Sequence, residues 1–461
     1  MKEMAMATAM SQPPPPRPPS AASRPPPPMQ AMAGTKRAAP GDHERSAKVA
    51  KVSKTSAGGG RRPAPPKGPP PGAGGMKPPP PSSAPKSNLK KKSMGMNVNS
   101  SMRKRMTLRK PVKLRDVTVF QKKYQVGQGT YGSVFVGADK VTGEIVALKR
   151  INTEQEENGF PITALREVKI LKAMNHENVV ELKEIVTSKE QGEIPKNVFM
   201  VFEYHEYDLT GILETGEIRF TQDHIKSWTM QLLKGVNYMH TNQIIHRDLK
   251  ASNLLISRRG ELRIADWGLA RSWNPKMKNL TNGVVTLWYR PIELLLGCKQ
   301  YSTKIDMWSV GCIVAEMFRR SGLLKGHNDA SQLSLIFNNC GHPTPESWPN
   351  INEMCPLWRN HEPRTNEPLQ PNRLKQVLRE RLPYPSWMTP KAIDLIMNLL
   401  TLNPHTRWDA RQAISADYFY DEPIVKRAEE LNMKFSVDSV HELGARKKHE
   451  QRRAQANGLK K

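Results

Sequence analysis

Cysteine is scarce in this chain. Its 461 residues contain four, Cys298, Cys312, Cys340 and Cys355, with no C-x-x-C pair and no histidine array beside them. That pattern excludes a zinc framework and a disulfide-dense secreted scaffold, so the expectation is four reduced, intracellular thiols. Long apolar runs are missing as well. The best stretch, 393–402, is interrupted by Asp394 and Asn398, well short of the roughly 18 apolar residues that a membrane span needs. Residues 1–10 lack a secretory apolar core, and neither secretion nor membrane insertion is expected. The first 116 residues contain no Phe, Trp or Tyr and only four acidic side chains. A segment so poor in anchors cannot bury enough apolar surface to offset its chain entropy.

What that segment holds is proline and positive charge. Residues 1–116 carry 24 Lys or Arg, and the first 85 carry 22 of the 39 prolines. Of the formal charge of +28, +20 sits in 1–116, +4 in 436–461 and only +4 in between. The expected organisation is a disordered, Pro-rich basic tail over 1–116, a folded unit over 117–420 and a basic C-terminal extension over 421–461. Runs such as Pro13 to Pro16 and Pro78 to Pro81 favour solvated polyproline II, and a linker is preferred over a docking motif. Basic clusters at Lys36-Arg37, 48–54, Arg61-Arg62, 90–92 and 103–105 point first to nuclear targeting. Weak nucleic-acid contact is a secondary expectation, since the tail offers no aromatic ring for base stacking.

Period-two alternation begins near Val117. Strands are expected over 124–126, 133–136 and 145–148, separated by the glycines of 127–132 and the turn Thr142-Gly143-Glu144, as in an antiparallel meander. Leu165, Val168, Ile170, Leu171 and Met174 place a helix over 162–174. Strands over 181–186 and 197–203 follow. Beyond Asp208 the apolar stripes are helical, at 225–240, 305–318, 331–339 and 390–401. A small sheet lobe leading into a larger helical lobe is an α+β arrangement.

Three segments carry chemistry. Gly127-Gln128-Gly129-Thr130-Tyr131-Gly132-Ser133-Val134 can close backbone N–H groups over phosphates, and it continues into a β-branched strand where a dinucleotide fold would need a helix. Alone it is a weak signal, with a ligand-free glycine-rich hairpin as the alternative. Val146-Ala147-Leu148-Lys149 sets a lysine among apolar neighbours, with Glu167 on the following helix as its partner; a surface pair is the plain alternative. The deciding segment is His246-Arg247-Asp248-Leu249-Lys250-Ala251-Ser252-Asn253, followed by Asp266-Trp267-Gly268. Three oxygen-bearing side chains and a lysine at these spacings can hold a hydroxyl, a γ-phosphate and two magnesium ions in one cleft.

In this order the motifs resemble the eukaryotic protein kinases, over about residues 120 to 420. Phe160-Pro161-Ile162-Thr163-Ala164-Leu165-Arg166-Glu167 resembles the cyclin-contacting helix of cyclin-dependent kinases, in the PITALRE spelling of the transcription-elongation class that pairs with cyclin T. Val284-Val285-Thr286-Leu287-Trp288-Tyr289-Arg290 is similar to the family's activation-segment ending. Val440-His441-Glu442-Leu443 is similar to tail segments of elongation kinases of fungi and plants. The resemblance implies a kinase fold, with an N-lobe over about 117–203 and a C-lobe over about 206–420.

It also implies roles. Asp248 orients the attacking hydroxyl and Lys250 neutralises the transferring phosphoryl group, while Lys149 and Glu167 form the catalytic ion pair. Asn253 and Asp266 are the magnesium ligands. ATP is expected against the 127–133 hairpin, with Val126, Val134, Ala147 and Leu255 sandwiching adenine, Phe202 behind it, and Glu203 and His205 at the hinge. Thr281 is the expected activating phosphosite, facing Arg166, Arg247 and Arg271; Thr130 and Tyr131 match inhibitory phosphosites. Trp267 stands where Phe is usual, and Ile292 where Pro or Ala precedes Glu293, with Arg407 available to pair with that glutamate.

The implied function is a nuclear, cyclin-activated, proline-directed serine/threonine kinase. Its expected partners are a T-type cyclin, with a K-type as alternative, and the Ser-Pro repeats of the RNA polymerase II C-terminal domain as substrate. A catalytically silent basic scaffold is the contrasting reading, disfavoured by the intact set Lys149, Glu167, Asp248, Asn253 and Asp266.

Overall fold

Alternation of apolar and polar residues decides the first lobe, because a strand presents successive side chains to opposite faces. In a computed structural model, residues 114–129, 132–151, 160–188, 197–216, 218–363, 368–380, 382–434 and 438–445 are described. The expectations for the tails over 1–113 and 446–461, and for Thr130 and Tyr131, lie outside them. Strands β1 (Arg115–Asp116), β2 (Phe120–Gly129), β3 (Gly132–Asp139), β4 (Ile145–Ile151), β5 (Leu182–Thr187) and β6 (Val198–Glu203) form one sheet in the order β1-β5-β6-β4-β3-β2. The expected meander is β2-β3-β4. The later strand β6 pairs antiparallel with β4, bringing Ala147 opposite Phe202 and Lys149 opposite Met200.

On β4, Val146 and Leu148 turn to a small outer core with Phe120, Val186 and Val201. The intervening Ala147 and Lys149 face the other side, towards the larger lobe and the cleft. Helix α1 (Ile162–Leu171) packs beneath, burying Ala164, Glu167, Ile170 and Leu171. Among the described residues the sheet starts slightly before Val117: β1 pairs in parallel with β5, and Arg115 is bonded to Asp139 and Glu184.

The second lobe is built on α2 (Leu209–Thr215), α3 (Gln222–Thr241), α4 (Ile292–Leu295), α5 (Lys304–Arg319), α6 (Asp329–Cys340), α7 (Pro390–Leu399) and α8 (Ala410–Ile414). Each expected stripe falls in one of these helices, 390–401 overrunning α7 by two residues. Helix starts carry the acceptors that free backbone N–H groups require. Asp208 accepts from Gly211 N at 2.7 Å, and Thr389 from Ala392 N at 3.2 Å. Every residue of α5 from Ile305 to Phe318 is buried, so α5 is the axis on which the lobe packs. It therefore needs partners for its own polar groups. Glu316 accepts a 2.7 Å bond from the Tyr289 hydroxyl, and Ser309 Oγ donates to Tyr289 O at 2.9 Å.

A buried ion pair locks α4 to the far end of the chain. Arg407 and Glu293 meet at 2.7 and 2.9 Å, and the remaining guanidinium N–H groups donate to the carbonyls of Thr401, Lys304 and Leu402. All five donors are thus used, as a buried guanidinium demands. Ile292 beside it is fully buried, so the residue that departs from the family pattern fills core space.

Two expectations are corrected. Cys298 and Cys355 form a disulfide, leaving only Cys312 and Cys340 free, both buried. The cysteines are 57 residues apart in sequence, but Leu357 N donates to Leu296 O at 3.1 Å and lays the two segments side by side. Nor is 421–461 wholly an appendage: Val440 exchanges backbone bonds with β7 (Tyr207–Asp208), as acceptor from Asp208 N at 3.2 Å and donor to Glu206 O at 3.0 Å.

Replacing Glu293 by Ala would strand the Arg407 charge, and a loss of about 3–5 kcal/mol is expected in urea unfolding. Glu316 makes a second test. Burial, only partly offset by the Tyr289 bond, pushes its carboxyl up to about 7. A carboxyl raised on folding holds its proton longer in the native state, so its favourable contribution is present at low pH and is lost between the unfolded value near 4.3 and about 7. Glu316→Gln should therefore flatten the pH dependence of stability in that window, gaining roughly 3 kcal/mol relative to wild type between pH 4 and 8. An unchanged pH profile would contradict the assignment.

Candidate active site

A cavity of about 510 Å³ lies between the sheet and the helical lobe. Its roof is the β2–β3 hairpin, where Gly127 opposes Val134 and Gly129 opposes Gly132. Gly132 has φ of 140°, a conformation that favours glycine. Val126, Gly127, Gln128, Gly132, Val134, Ala147, Phe202, Glu203, His205 and Leu255 all line the cavity. Gly129 and Ser133 belong to the same hairpin, but Ser133 is not part of the wall.

Lys149 is the electrostatic centre of the cleft. Its Nζ lies 2.8 and 3.1 Å from the Glu167 oxygens and 2.8 Å from Asp266 Oδ1. Burial works against the ammonium, but the Asp266 and Glu167 charges outweigh it and hold the lysine protonated. The same attraction keeps the Asp266 carboxyl below the usual carboxylate range, while burial pushes Glu167 upward against the pull of Lys149. The helix is thus rotated so that the expected Lys149–Glu167 pair forms.

The catalytic loop follows β8 (Ile244–Ile245). Asp248 Oδ1 accepts from Thr286 Oγ1 at 2.6 Å and from its N–H at 3.1 Å, and Lys250 Nζ lies 3.2 Å from Oδ2. Asn253 Nδ2 donates to Asp248 O at 2.8 Å and more weakly to Oδ2 at 3.3 Å. With its nitrogen so fixed, the Asn253 amide oxygen is left as an acceptor. Asp266, held on one oxygen by Lys149, retains the other. Two hard oxygen donors lining the cavity fit a magnesium ion, which takes one or two protein ligands and completes its shell with phosphate and water.

Trp267 is fully buried, with its indole N–H donating to Ile264 O at 3.0 Å and its ring edge-on to His246 at 4.9 Å. A phenylalanine could make only the second contact. Downstream, Arg290 Nε donates to Val284 O and Val285 O at 3.1 Å, and its Nη1 meets Asp329 at 2.7 Å. This frames the segment expected to meet substrate. Thr281 is exposed. Arg247 is linked to Thr281 O through the Tyr301 hydroxyl, and burial together with the charges of Arg247 and Arg166 lowers the pKa of Arg271; none of the three arginines has a described carboxylate in ion-pair contact.

Among the lining residues that motif reading missed are His441, Glu442 and Leu443. They reach the cavity because Asp208 holds the C-terminal segment: its Oδ2 accepts from Glu442 N at 2.7 Å and lies 3.5 Å from His441 Nδ1. At the hinge, burial and then the Arg263 and His441 charges drive His205 down to about 3. The nearest sequence signal was the Val440-His441-Glu442-Leu443 string itself, which gave no hint of its docking site.

A family model described as protein kinase domain matches residues 120–419. Cyclin-dependent kinase C-1 of Oryza sativa subsp. japonica is 45% identical over 351 residues, covering 74% of this chain and 65% of that kinase. Cyclin-dependent kinase 9-A of Xenopus laevis is 42% identical over 319 residues, covering 67% of this chain and 82% of the relative. Among solved structures, a chain of the yeast RNA Pol II CTD kinase CTDK-1 complex is 36% identical with a TM-score of 0.61, covering 70% of this chain and 99% of that one. The chain belongs to the protein kinases and, among them, to the cyclin-dependent kinases. It spans just under two thirds of the length of the rice kinase.

The docked C-terminal segment yields a prediction. A Cβ on Gly211 would lie 2.7 Å from Val440 O and 2.8 Å from its Cγ1, too close for either to stay. Gly211→Ala should release the segment and raise the KM for ATP roughly three- to ten-fold, a binding loss of about 1 kcal/mol, while leaving the peptide KM unchanged. Equal steady-state constants for variant and wild type would show that the segment does not contribute to the nucleotide pocket.

Proposed function

We propose that this chain is the catalytic subunit of a cyclin-dependent, proline-directed serine/threonine kinase, which transfers the γ-phosphate of ATP to Ser-Pro sites in the C-terminal repeats of RNA polymerase II during elongation. The observation that carries the reading is the assembled constellation of Lys149, Glu167, Asp248, Lys250, Asn253 and Asp266 around one cavity. Similarity to cyclin-dependent kinases and to a chain of the yeast CTD kinase complex supports the substrate class.

In this mechanism Asp248 orients the substrate hydroxyl and accepts its proton, a geometric task for a carboxylate already held by Thr286. Lys250 neutralises charge developing on the transferred group, and Lys149 holds the nucleotide phosphates in place while Glu167 fixes the lysine. Asn253 and Asp266 would hold magnesium, which supplies charge neutralisation between the phosphates. Val284, Val285 and Arg290 shape the site that receives the proline after the target residue.

Activation follows from charge. A T-type cyclin, or a K-type one, would cover the face of α1 where Ile162 and Leu165 are exposed at 71% and 55%, an apolar pair that isolated solvent exposure does not favour. Phosphate on Thr281 would then bring Arg166, Arg247 and Arg271 together through bidentate contacts. The basic clusters of the N-terminal tail supply nuclear import and salt-dependent contact with nucleic acid.

The test is phosphate incorporation into a Ser-Pro heptad peptide by the purified chain with ATP and magnesium, alone and with each cyclin class. A T-type cyclin should give the highest activity. Asp248→Asn should lower kcat by roughly 100- to 10,000-fold, and Thr281→Ala should depress it. Incorporation with no cyclin dependence, or none with any cyclin, would overturn the reading.

A further inference from the structure

Tyr301 belongs to none of the motifs, yet it occupies the space between the phosphosite and the catalytic loop. It is only 7% exposed. Its hydroxyl donates to Thr281 O at 2.8 Å and accepts from Arg247 Nη1 at 3.2 Å. One oxygen therefore binds the main chain of the phosphosite and the guanidinium of the catalytic-loop arginine. The main chain around it is held as well. Trp273 Nε1 donates to Tyr301 O at 2.9 Å, and Leu280 N donates to Lys299 O at 2.8 Å, so the activation segment lies against the residues that precede Tyr301.

Arg247 has little other freedom. Its Nε donates to Leu269 O at 2.8 Å and its backbone N–H to Asp306 at 2.9 Å. Arg271 repels it from one side, and no described carboxylate forms an ion pair with it. The Leu269 carbonyl holds the inner nitrogen, and the phenol oxygen is the acceptor that fixes a terminal nitrogen against that repulsion. The contact leaves the second terminal nitrogen of Arg247 for an incoming anion.

We propose that Tyr301 is a positioning residue that couples phosphorylation of Thr281 to the catalytic loop, by aligning Arg247 and the Thr281 backbone on a single hydroxyl. The inference rests on the reading of Thr281 as the activating phosphosite. Tyr301→Phe removes the oxygen and keeps the ring, so it separates coupling from packing.

The experiment is a double-mutant cycle on the full chain with its cyclin: wild type, Tyr301→Phe, Thr281→Ala and the pair, with Thr281 phosphorylation verified by mass spectrometry. In the phosphorylated enzyme, Tyr301→Phe should lower kcat roughly ten-fold, the scale of one hydrogen bond to a charged group, with the peptide KM held within about two-fold. In the Thr281→Ala background the same change should have no further effect, because the route it serves is already cut. An equal loss in both backgrounds, or no loss in the phosphorylated enzyme, would overturn the role of Tyr301 while leaving the phosphosite intact. Full activity of Thr281→Ala would sink the phosphosite reading and this inference with it. A readout independent of turnover is the rise in melting temperature on phosphorylation, which should shrink in Tyr301→Phe; an undiminished rise would also count against coupling.

Discussion

The catalytic loop depends on one buried carboxylate. Asp306, fully buried on the central helix α5, accepts from His246 N at 3.0 Å, from Arg247 N at 2.9 Å and from His240 Nε2 at 2.9 Å. Arg247 has φ of 66°, a left-handed conformation that costs a non-glycine residue roughly 1–2 kcal/mol. The bond from its amide to a buried anion is what makes that backbone shape stable. Once Arg247 is so placed, its carbonyl accepts from Val285 N at 3.0 Å, and the end of the activation segment is registered against the loop that carries Asp248. A helix that is buried on all sides thus transmits its rigidity to the site through a single side chain.

Charge is distributed unequally across this framework, and the inequality separates catalysis from control. In the cleft, Lys149 has two carboxylates and Asp248 has both Thr286 and Lys250, so the reactive groups are compensated before any ligand arrives. Around Arg271 the opposite holds: Arg247 and Arg166 act on it as like charges, with no described acid in ion-pair contact with the three. The first cluster is stable as it stands, whereas the second gains most of its stabilisation when an anion enters. A doubly charged phosphate is the modification that such a cluster favours.

How much of this could be read from sequence depended on the distance between partners. The His246–Asn253 run and Asp266 are local signals with fixed spacing, and Asp248, Lys250, Asn253 and Asp266 from them line the cavity. Lys149 and Glu167 are 18 residues apart, and the pair could be suggested from neighbouring elements but depended on how the helix is rotated; Glu293 and Arg407 are 114 apart, and that pairing was legible only because the family resemblance supplied it. Placing β6 between β4 and β5, joining Cys298 to Cys355 and docking 438–445 on Asp208 required knowing which surfaces meet. No periodicity encodes that. Gly211 illustrates the limit, since a glycine inside a short helix reads as a weak helix former until Val440 is found against it.

Trp267 changes the balance between the two clusters. The family's usual phenylalanine would keep the contact with His246 but could not donate to Ile264 O. A neutral buried hydrogen bond of this kind contributes about 0.5–1.5 kcal/mol net, which multiplies the population of the arrangement it favours by roughly 2- to 13-fold. That arrangement is the one in which Asp266 faces Lys149, because Asp266 and Trp267 are adjacent and Asp266 takes the left-handed conformation, φ of 58°, at the turn. The extra bond therefore holds the Asp266 carboxylate in place ahead of any signal. What remains to be set by partner and phosphate is the arginine cluster around Thr281, and the machinery for setting it runs through Arg247 back to Asp306.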